Sequence, residues 1–321
     1  MKIIAETASN HMGEMDYLKE LSLQSINNGA DFVTVQVFDL DSFVTREDKP
    51  SYSNFSKICF DKKQWKEYFK WAETKDISVI PCILDNKAFE MVSSTKINTV
   101  KVHASDILNL NFLQAVDSHF SKVFLEFGGA TLEEIGEAVK VFQNSELVLV
   151  YGFNDYPTKI ENQNLNFIST LRNIFDVKVG FADHSDYTEE IGLMAMAAGA
   201  EYFEKHVTLD KKNDNRFDWE VSIEPSDLLQ LSNKKKQFKP ALGLPLRDIS
   251  QNERKFRKLI YKKIVAKQNI DKDSEIRLEY LEFKRAVEGI EIDQLNTIVK
   301  KRTKVYINKN SIIMPKHISN E

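Results

Sequence analysis

Among the residues able to do chemistry, His184 and His206 have the most informative placement. Each lies at the end of an expected strand, Val177–Ala182 and Tyr202–Val207, and the two strands are consecutive. If they are neighbouring parallel strands, both imidazoles reach one rim and can converge on one ion. Neutral ring nitrogens suit Mn, Fe, Co or Zn better than Mg, which prefers oxygen ligands. A lone rim histidine is more often a simple hydrogen-bonding residue; the shared placement is what favours a metal. Asp183 suits either of two roles, orienting a ligating ring or capping a helix that starts near Tyr187.

Other polar residues fall at equivalent positions. Glu6 ends the first apolar run, Gln36 lies in the second, and Lys101 lies in the fourth with Asp106 just beyond. Asn154 and Tyr156 follow the sixth, and Lys205 precedes His206 in the eighth. Glu6 and Asp106 could move a proton or hold a water; the alternative pairs them with Lys101 or Lys205 as structural ions. Gly128-Gly129 reads as a tight turn, since neither GxGxxG nor GxxxxGK[ST] occurs. The absence of a GxSxG elbow and of a Cys/His nucleophile pair disfavours covalent acyl transfer.

The elements that must position these residues are legible as alternation. Short runs rich in Val, Ile and Phe recur between longer segments of helical period, the pattern of parallel strands joined by crossover helices. Eight strands are expected: Ile3–Thr7, Phe32–Phe38, Ile77–Ile83, Thr99–Ala104, Val123–Phe127, Leu147–Gly152, Val177–Ala182 and Tyr202–Val207. After the fifth, Thr131 and Glu134 form a capping box ahead of the stripe Leu132, Ile135, Val139, Phe142. Eight such units predict an α/β protein with a (β/α)8 TIM barrel over residues 1–235, an open doubly wound sheet being the alternative. Residues 236–253 read as a polar linker, and residues 254–321 as a small β-rich domain. A faint echo there relates Ile270–Ile276 to Ile307–Ile313, each a polar turn between apolar runs.

Composition limits the partners. The 321 residues carry 44 Lys+Arg against 48 Asp+Glu, a net charge of −4 that is too balanced for a protein coating a nucleic acid. The 42% hydrophobic content with 11 Gly and 7 Pro excludes a disordered or collagen-like chain. Two cysteines, Cys59 and Cys82, make no disulfide framework and point to the cytoplasm, and no apolar window is long enough to span a membrane.

Read together, these motifs resemble the N-acetylneuraminate (sialic acid) synthase family, which includes the legionaminic and pseudaminic acid synthases. The resemblance rests on Ala5-Glu6-Thr7-Ala8-Ser9-Asn10-His11-Met12-Gly13, Ala130–Glu134, Asn154-Asp155-Tyr156-Pro157-Thr158, Gly180-Phe181-Ala182-Asp183-His184-Ser185 and Glu204-Lys205-His206-Val207-Thr208-Leu209-Asp210, an ordered series over nearly the whole chain. It implies a C-terminal antifreeze-like domain, with Phe283-Lys284-Arg285 at a family element whose proline and glycine are here Ala286 and Val287. It implies a homodimer in which that domain caps the partner's barrel and Arg285 reaches across.

The resemblance also implies an activity, condensation of phosphoenolpyruvate with an N-acetylated amino-sugar aldehyde to a nine-carbon 2-keto-3-deoxy acid. His184 and His206 would hold a divalent ion, Mn in the first instance, with Mg, Co or Zn as alternatives. Glu6 and Asp106 would line the reaction centre, Asp106 replacing a glutamate; Gln36, Tyr156, Asp218 and Arg285 would contact the sugar, and Lys101 and Asn154 the donor. The donor side otherwise departs from the family, because Thr34, Ile80, Ala104, Glu126 and Ala182 replace a lysine and several hydroxyl residues. Glu126 would bring negative charge toward an anionic donor, and Lys205 or Lys159 could replace the lost contacts. Three readings follow in order: a divergent synthase, a metal-dependent carbohydrate aldolase, lyase or epimerase that does not use phosphoenolpyruvate, and a catalytically silent sugar-binding paralogue.

Overall fold

The computed structural model describes residues 1–152, 155–213 and 215–319. Eight parallel strands run β1 (Lys2–Glu6), β2 (Phe32–Val37), β3 (Val79–Ile83), β4 (Thr99–Val102), β5 (Lys122–Glu126), β6 (Glu146–Tyr151), β7 (Lys178–Asp183) and β8 (Tyr202–His206). Each pairs with the next and β8 pairs back onto β1, closing the barrel. All eight expected strands are present, and the open-sheet alternative is excluded.

Both faces of each strand are covered, which is why the strands read as nearly continuous apolar runs. One face, including Ile3, Ala5, Val33, Val35 and Val37, packs in the large core beneath the helices. The other face fills the barrel with Ile4, Ile80, Phe124, Val148 and Tyr202. Because side chains alternate with a period of two, the next inward position on several of these strands fixes the layer above. That layer is polar: Glu6 follows Ile4, Glu126 follows Phe124, and Glu204 follows Tyr202. Register brings these together, with Glu6 opposite both Thr34 and His206, and Lys101 opposite Cys82 and Phe124.

The helices begin where local chemistry dictates. Thr131 and Glu134 form the expected capping box, and the helix Leu132–Val141 buries Ile135 and Ala138. Such a cap is worth about 1 kcal/mol. One backbone contact bears directly on the mouth. Gly152 has φ of +141°, and a Cβ there would fall 2.0 Å from the carbonyl oxygen of Ala182. We expect Gly152→Ala to destabilise the fold by more than about 1 kcal/mol, read as a lower midpoint in urea; an unchanged midpoint would show that the β6 and β7 ends can separate freely.

The chain divides into two compact units between Gly243 and Leu244, inside the segment expected as linker. The helix Pro225–Phe238 continues past residue 235 and belongs to the first unit. The second unit contains the helix Gln251–Ile260, capped by Ser250 and Glu253, and an antiparallel pair, β9 (Lys262–Ala266) with β10 (Leu281–Arg285). Its core includes Ile264, Ile270, Ile276, Ile307 and Ile313. The internal echo is therefore structural: Ile270 and Ile307 exchange backbone hydrogen bonds at 2.9 Å in each direction, and both ends of both segments are buried. Among the described residues no helix is long and apolar enough to cross a membrane.

Candidate active site

At the C-terminal ends of the strands lies a cavity of about 530 Å³. Glu6, Gln36, Lys101, Tyr156, His184, His206 and Asp218 all line it; all but Asp218, which the family resemblance alone implied, lie within a strand or shortly after its end.

The two imidazoles are neighbours. Their ring centroids are 5.1 Å apart with the planes inclined at 56°. Burial, reinforced by His206, Lys205 and Lys101, lowers the pKa of His184 to about 3, against a partly opposing hydrogen bond with the Gly152 backbone. Burial likewise lowers that of His206, against the raising influence of Asp218 and Glu6. Both rings are thus neutral near pH 7, the form that coordinates metal. His206 Nδ1 is buried with no hydrogen-bond partner among the described residues. A buried nitrogen of that kind needs a partner, and an ion satisfies it, so the donor set fits a divalent transition metal. Among the described residues no three His, Cys, Asp or Glu side chains come together as a ligand set, so other positions on an ion would go to water or substrate.

Beside the imidazoles stands a hydroxyl–carboxylate pair. Tyr156 Oη donates to Asp218 Oδ1 at 2.6 Å, and its ring lies 5.5 Å from that of His184 and 6.1 Å from that of His206. Asp218 also accepts from the backbone N–H of Ser9 at 3.3 Å, tying the loop after β8 to the loop after β1. Asn10 reinforces that tie, donating to the Phe217 carbonyl and accepting from Tyr17. His11, stacked on Phe60 and accepting from the Gly13 N–H, is a structural pin. Phe43 and Phe55, packed edge to face, supply an apolar wall to the cavity.

On the other side Lys101 is surrounded by carboxylates. Its Nζ lies 2.7 Å from Glu6, 2.8 Å from Glu204 and 2.9 Å from Glu126. Glu6 is further held by the Thr34 hydroxyl at 2.6 Å and the Ala8 N–H at 2.7 Å. Burial works against ionisation of Glu6, but Lys101, His206 and the Thr34 bond outweigh it and hold its pKa well below the usual carboxylate range. For Glu204 burial prevails, aided by Glu6 and Glu126 and opposed by Lys101, so its pKa is raised. The paired-ion alternative considered for Glu6 is therefore the geometry observed. So low a pKa makes Glu6 a weak base near neutrality and suits it to fixing Lys101.

The profile of the NeuB family matches residues 23–246, a span that holds most of this site. The chain belongs to the NeuB family. Over 318 residues it is 30% identical to an uncharacterized protein of Methanocaldococcus jannaschii, covering 97% of this chain and 92% of that one. Over 306 residues it is 29% identical to the N,N'-diacetyllegionaminic acid synthase of Campylobacter jejuni, covering 90% and 91%. Among solved structures, the N-acetylneuraminic acid synthetase of Leptospira borgpetersenii, in complex with citrate, superposes with a TM-score of 0.74 at 27% identity, over 79% of this chain and 90% of that one. A putative spore coat polysaccharide biosynthesis protein E of Chromobacterium violaceum shares the fold over 99% of each chain, with a TM-score of 0.84 at 20% identity.

Asp106 and Asp183, singled out from the sequence of this NeuB-family chain, do other work. Asp106 is half-buried in the turn after β4, where its Oδ1 accepts from Asn109 at 3.0 Å; His103, Ala104 and Ser105 line the cavity and Asp106 does not. Arg285 ends β10 in the second unit and donates to the Leu259 carbonyl at 3.2 Å. Asn154 lies outside the described residues. Asp183 fills neither expected role. Its carboxylate binds Lys205 at 3.0 Å and accepts from the Ser185 N–H, while the helix Thr188–Ala197 starts without a side-chain cap. Lys205 also donates to the Ser185 carbonyl, so this fully buried ammonium cannot replace a donor contact. Lys159 is exposed and does not line the cavity. The residue passed over was Glu204. Its signal was in the sequence, because two positions before His206 on one strand is the same face.

Proposed function

We propose that this NeuB-family chain is a nonulosonic acid synthase-like enzyme, a metal-dependent catalyst of carbon–carbon bond formation at the aldehyde of an N-acetylated amino sugar. The observation that carries the reading is the pair of neutral imidazoles, His184 and His206, beside the Tyr156–Asp218 pair in one barrel-mouth cavity. The names of the relatives support the substrate class. His184 and His206 would hold the ion, Mn in the first instance, with Co, Zn or Mg as alternatives. When bound, such an ion supplies Lewis-acid polarisation of an aldehyde oxygen. Gln36, Tyr156 and Asp218 offer donors and acceptors to sugar hydroxyls, and Phe43 and Phe55 cover an apolar sugar face. The donor on this reading is phosphoenolpyruvate or an altered three-carbon compound, and the protein works as a cytoplasmic homodimer whose C-terminal units, with Arg285, complete the partner's site.

A second reading is favoured by one observation, the carboxylates around Lys101. It is a metal-dependent aldolase or lyase that makes or breaks the same bond without phosphoenolpyruvate. To separate the two, the full chain is incubated with Mn, an N-acetylated hexosamine and phosphoenolpyruvate, following inorganic phosphate and 2-keto-3-deoxy acid. Equimolar formation of both supports the synthase. Pyruvate released from a nonulosonic acid, with no turnover of phosphoenolpyruvate, supports the second reading. Sugar binding with neither reaction overturns both in favour of a silent sugar-binding protein.

Tyr156→Phe removes the hydroxyl that holds Asp218 at 2.6 Å. We expect about tenfold weaker binding of the amino sugar, one charge-assisted hydrogen bond's worth, with the unfolding midpoint unchanged. Calorimetric titration checks this; equal affinity would remove Tyr156 from the sugar site.

A further inference from the structure

Two N–H donors on the β4 side of the cavity make no hydrogen bond among the described residues. The first belongs to Lys101. Its ammonium carries three N–H groups and donates to Glu6 at 2.7 Å and to Glu204 at 2.8 Å. Glu126, 2.9 Å from Nζ, is an ion-pair partner and accepts no hydrogen bond from it.

The second donor is His103. It stands two positions after Lys101, just past the end of β4, so strand parity sends it to the same side, and it lines the cavity. One end of its ring is pinned: the backbone N–H of Ser105 donates to Nδ1 at 3.2 Å, capping the short turn Ala104–Asp106. An N–H can only donate, so Nδ1 accepts and the neutral ring carries its hydrogen on Nε2. Glu126 Oε2 lies 3.9 Å from Nε2, beyond hydrogen-bond distance. The two oxygens of the Glu126 carboxylate thus face the two donors, Oε1 toward Lys101 and Oε2 toward His103. Glu6 and Glu204 are enclosed, with side-chain exposures of 2% and 5%, whereas Glu126 is 17% exposed. It is the carboxylate with room to turn aside.

We propose that His103 Nε2, with the third N–H of Lys101, receives an oxyanion of a three-carbon donor in the position that the Glu126 carboxylate now holds. This rests on the synthase reading and adds to it a residue for the donor side, where Ala104 and Ala182 offer no hydroxyl and neither Lys205 nor Lys159 lines the cavity. His103 is a binding residue, and no bond to it forms or breaks. Displacing Glu126, instead of sharing the donors with it, moves the like charge away from the incoming oxyanion.

The test is calorimetric titration of the full chain, with and without Mn, for the native protein, His103→Asn and His103→Gln. The ligands are phosphoenolpyruvate, inorganic phosphate and pyruvate. Asparagine keeps an acceptor for the Ser105 N–H and removes the Nε2–H; glutamine restores an amide N–H at similar reach. His103→Asn should bind phosphoenolpyruvate at least about tenfold more weakly, the size of one charge-assisted hydrogen bond, with an unchanged unfolding midpoint, and His103→Gln should recover most of the loss. Parallel weakening of pyruvate alone assigns the donor's carboxylate to His103, and parallel weakening of phosphate alone assigns its phosphate. Native and Asn affinities within about twofold, a folded Gln variant no better than Asn, or a native chain that binds none of the three up to about 10 mM overturns the proposal. The titration needs neither aldehyde nor turnover. A chain that binds phosphoenolpyruvate through His103 yet forms no 2-keto-3-deoxy acid fails the functional reading and keeps this one; a working synthase indifferent to His103 does the reverse.

Discussion

Replacing His206 with alanine should abolish tight Mn binding while leaving the unfolding curve almost unchanged. His206 stands at the end of β8 opposite Glu6, with its Nδ1 buried and unpartnered among the described residues. No protein hydrogen bond is lost there when the ring is removed, so the fold has little at stake. The metal has much more. Loss of a group that only orients a ligand typically weakens a site about 10–100-fold, and loss of one of two nitrogen ligands should exceed that. Titration with Mn, Co and Zn, followed by calorimetry or by the Mn spin signal, reads the effect directly. If the variant binds these ions as the native chain does, or the native chain binds none of them, His184 and His206 are a buried aromatic pair and the Lewis-acid reading falls.

The barrel was legible because its physics is local and repeated. Two-sided burial makes runs such as Phe32–Val37 and Leu147–Tyr151 announce themselves by composition. The rim residues were legible for the same reason, since a polar residue that ends such a run has one place to go. What could not be read was pairing. Asp183 beside His184 looked like its partner, yet adjacent residues on a strand face opposite sides, and Asp183 turns outward to Lys205. Glu6 with Lys101 was one of the pairings open from sequence, but nothing in a linear string reveals that Glu126 and Glu204 meet the same ammonium.

Asp106 shows the limit of the family pattern. The chain leaves β4 into a short helical turn, and Asp106 is spent on Asn109, while His103, nearer the strand, reaches the cavity with its Nε2 3.9 Å from Glu126. Position along a loop does not fix direction in the way that parity along a strand does.

The same buried cluster leads to the largest expected change in stability, that of Lys101→Met. In the native chain burial works against the charge on Lys101, and Glu126, Glu204 and Glu6 more than restore it, holding its pKa well above the usual lysine value. Methionine fills similar space and removes the charge, leaving carboxylates with no cation among them. Breaking a buried ion pair from one side costs about 3–5 kcal/mol, because the remaining charge stays desolvated. Here more than one carboxylate is left, so the upper part of that range is expected, and Glu126→Gln, at the more exposed member, should cost less. The pH dependence has a definite sign. Without Lys101 these carboxyls have folded pKa values above their unfolded ones, so protonation favours the folded state; the variant gains stability as pH falls and loses it as pH rises through the folded values. Urea unfolding at about pH 8 and about pH 5 should therefore show the deficit shrinking toward the acid side. Lys101→Met/Glu204→Gln should recover part of it, as removing one uncompensated charge relieves the others. A Lys101→Met protein within about 1 kcal/mol of native at both pH values would mean that the carboxylates around Lys101 are already neutral or hydrated.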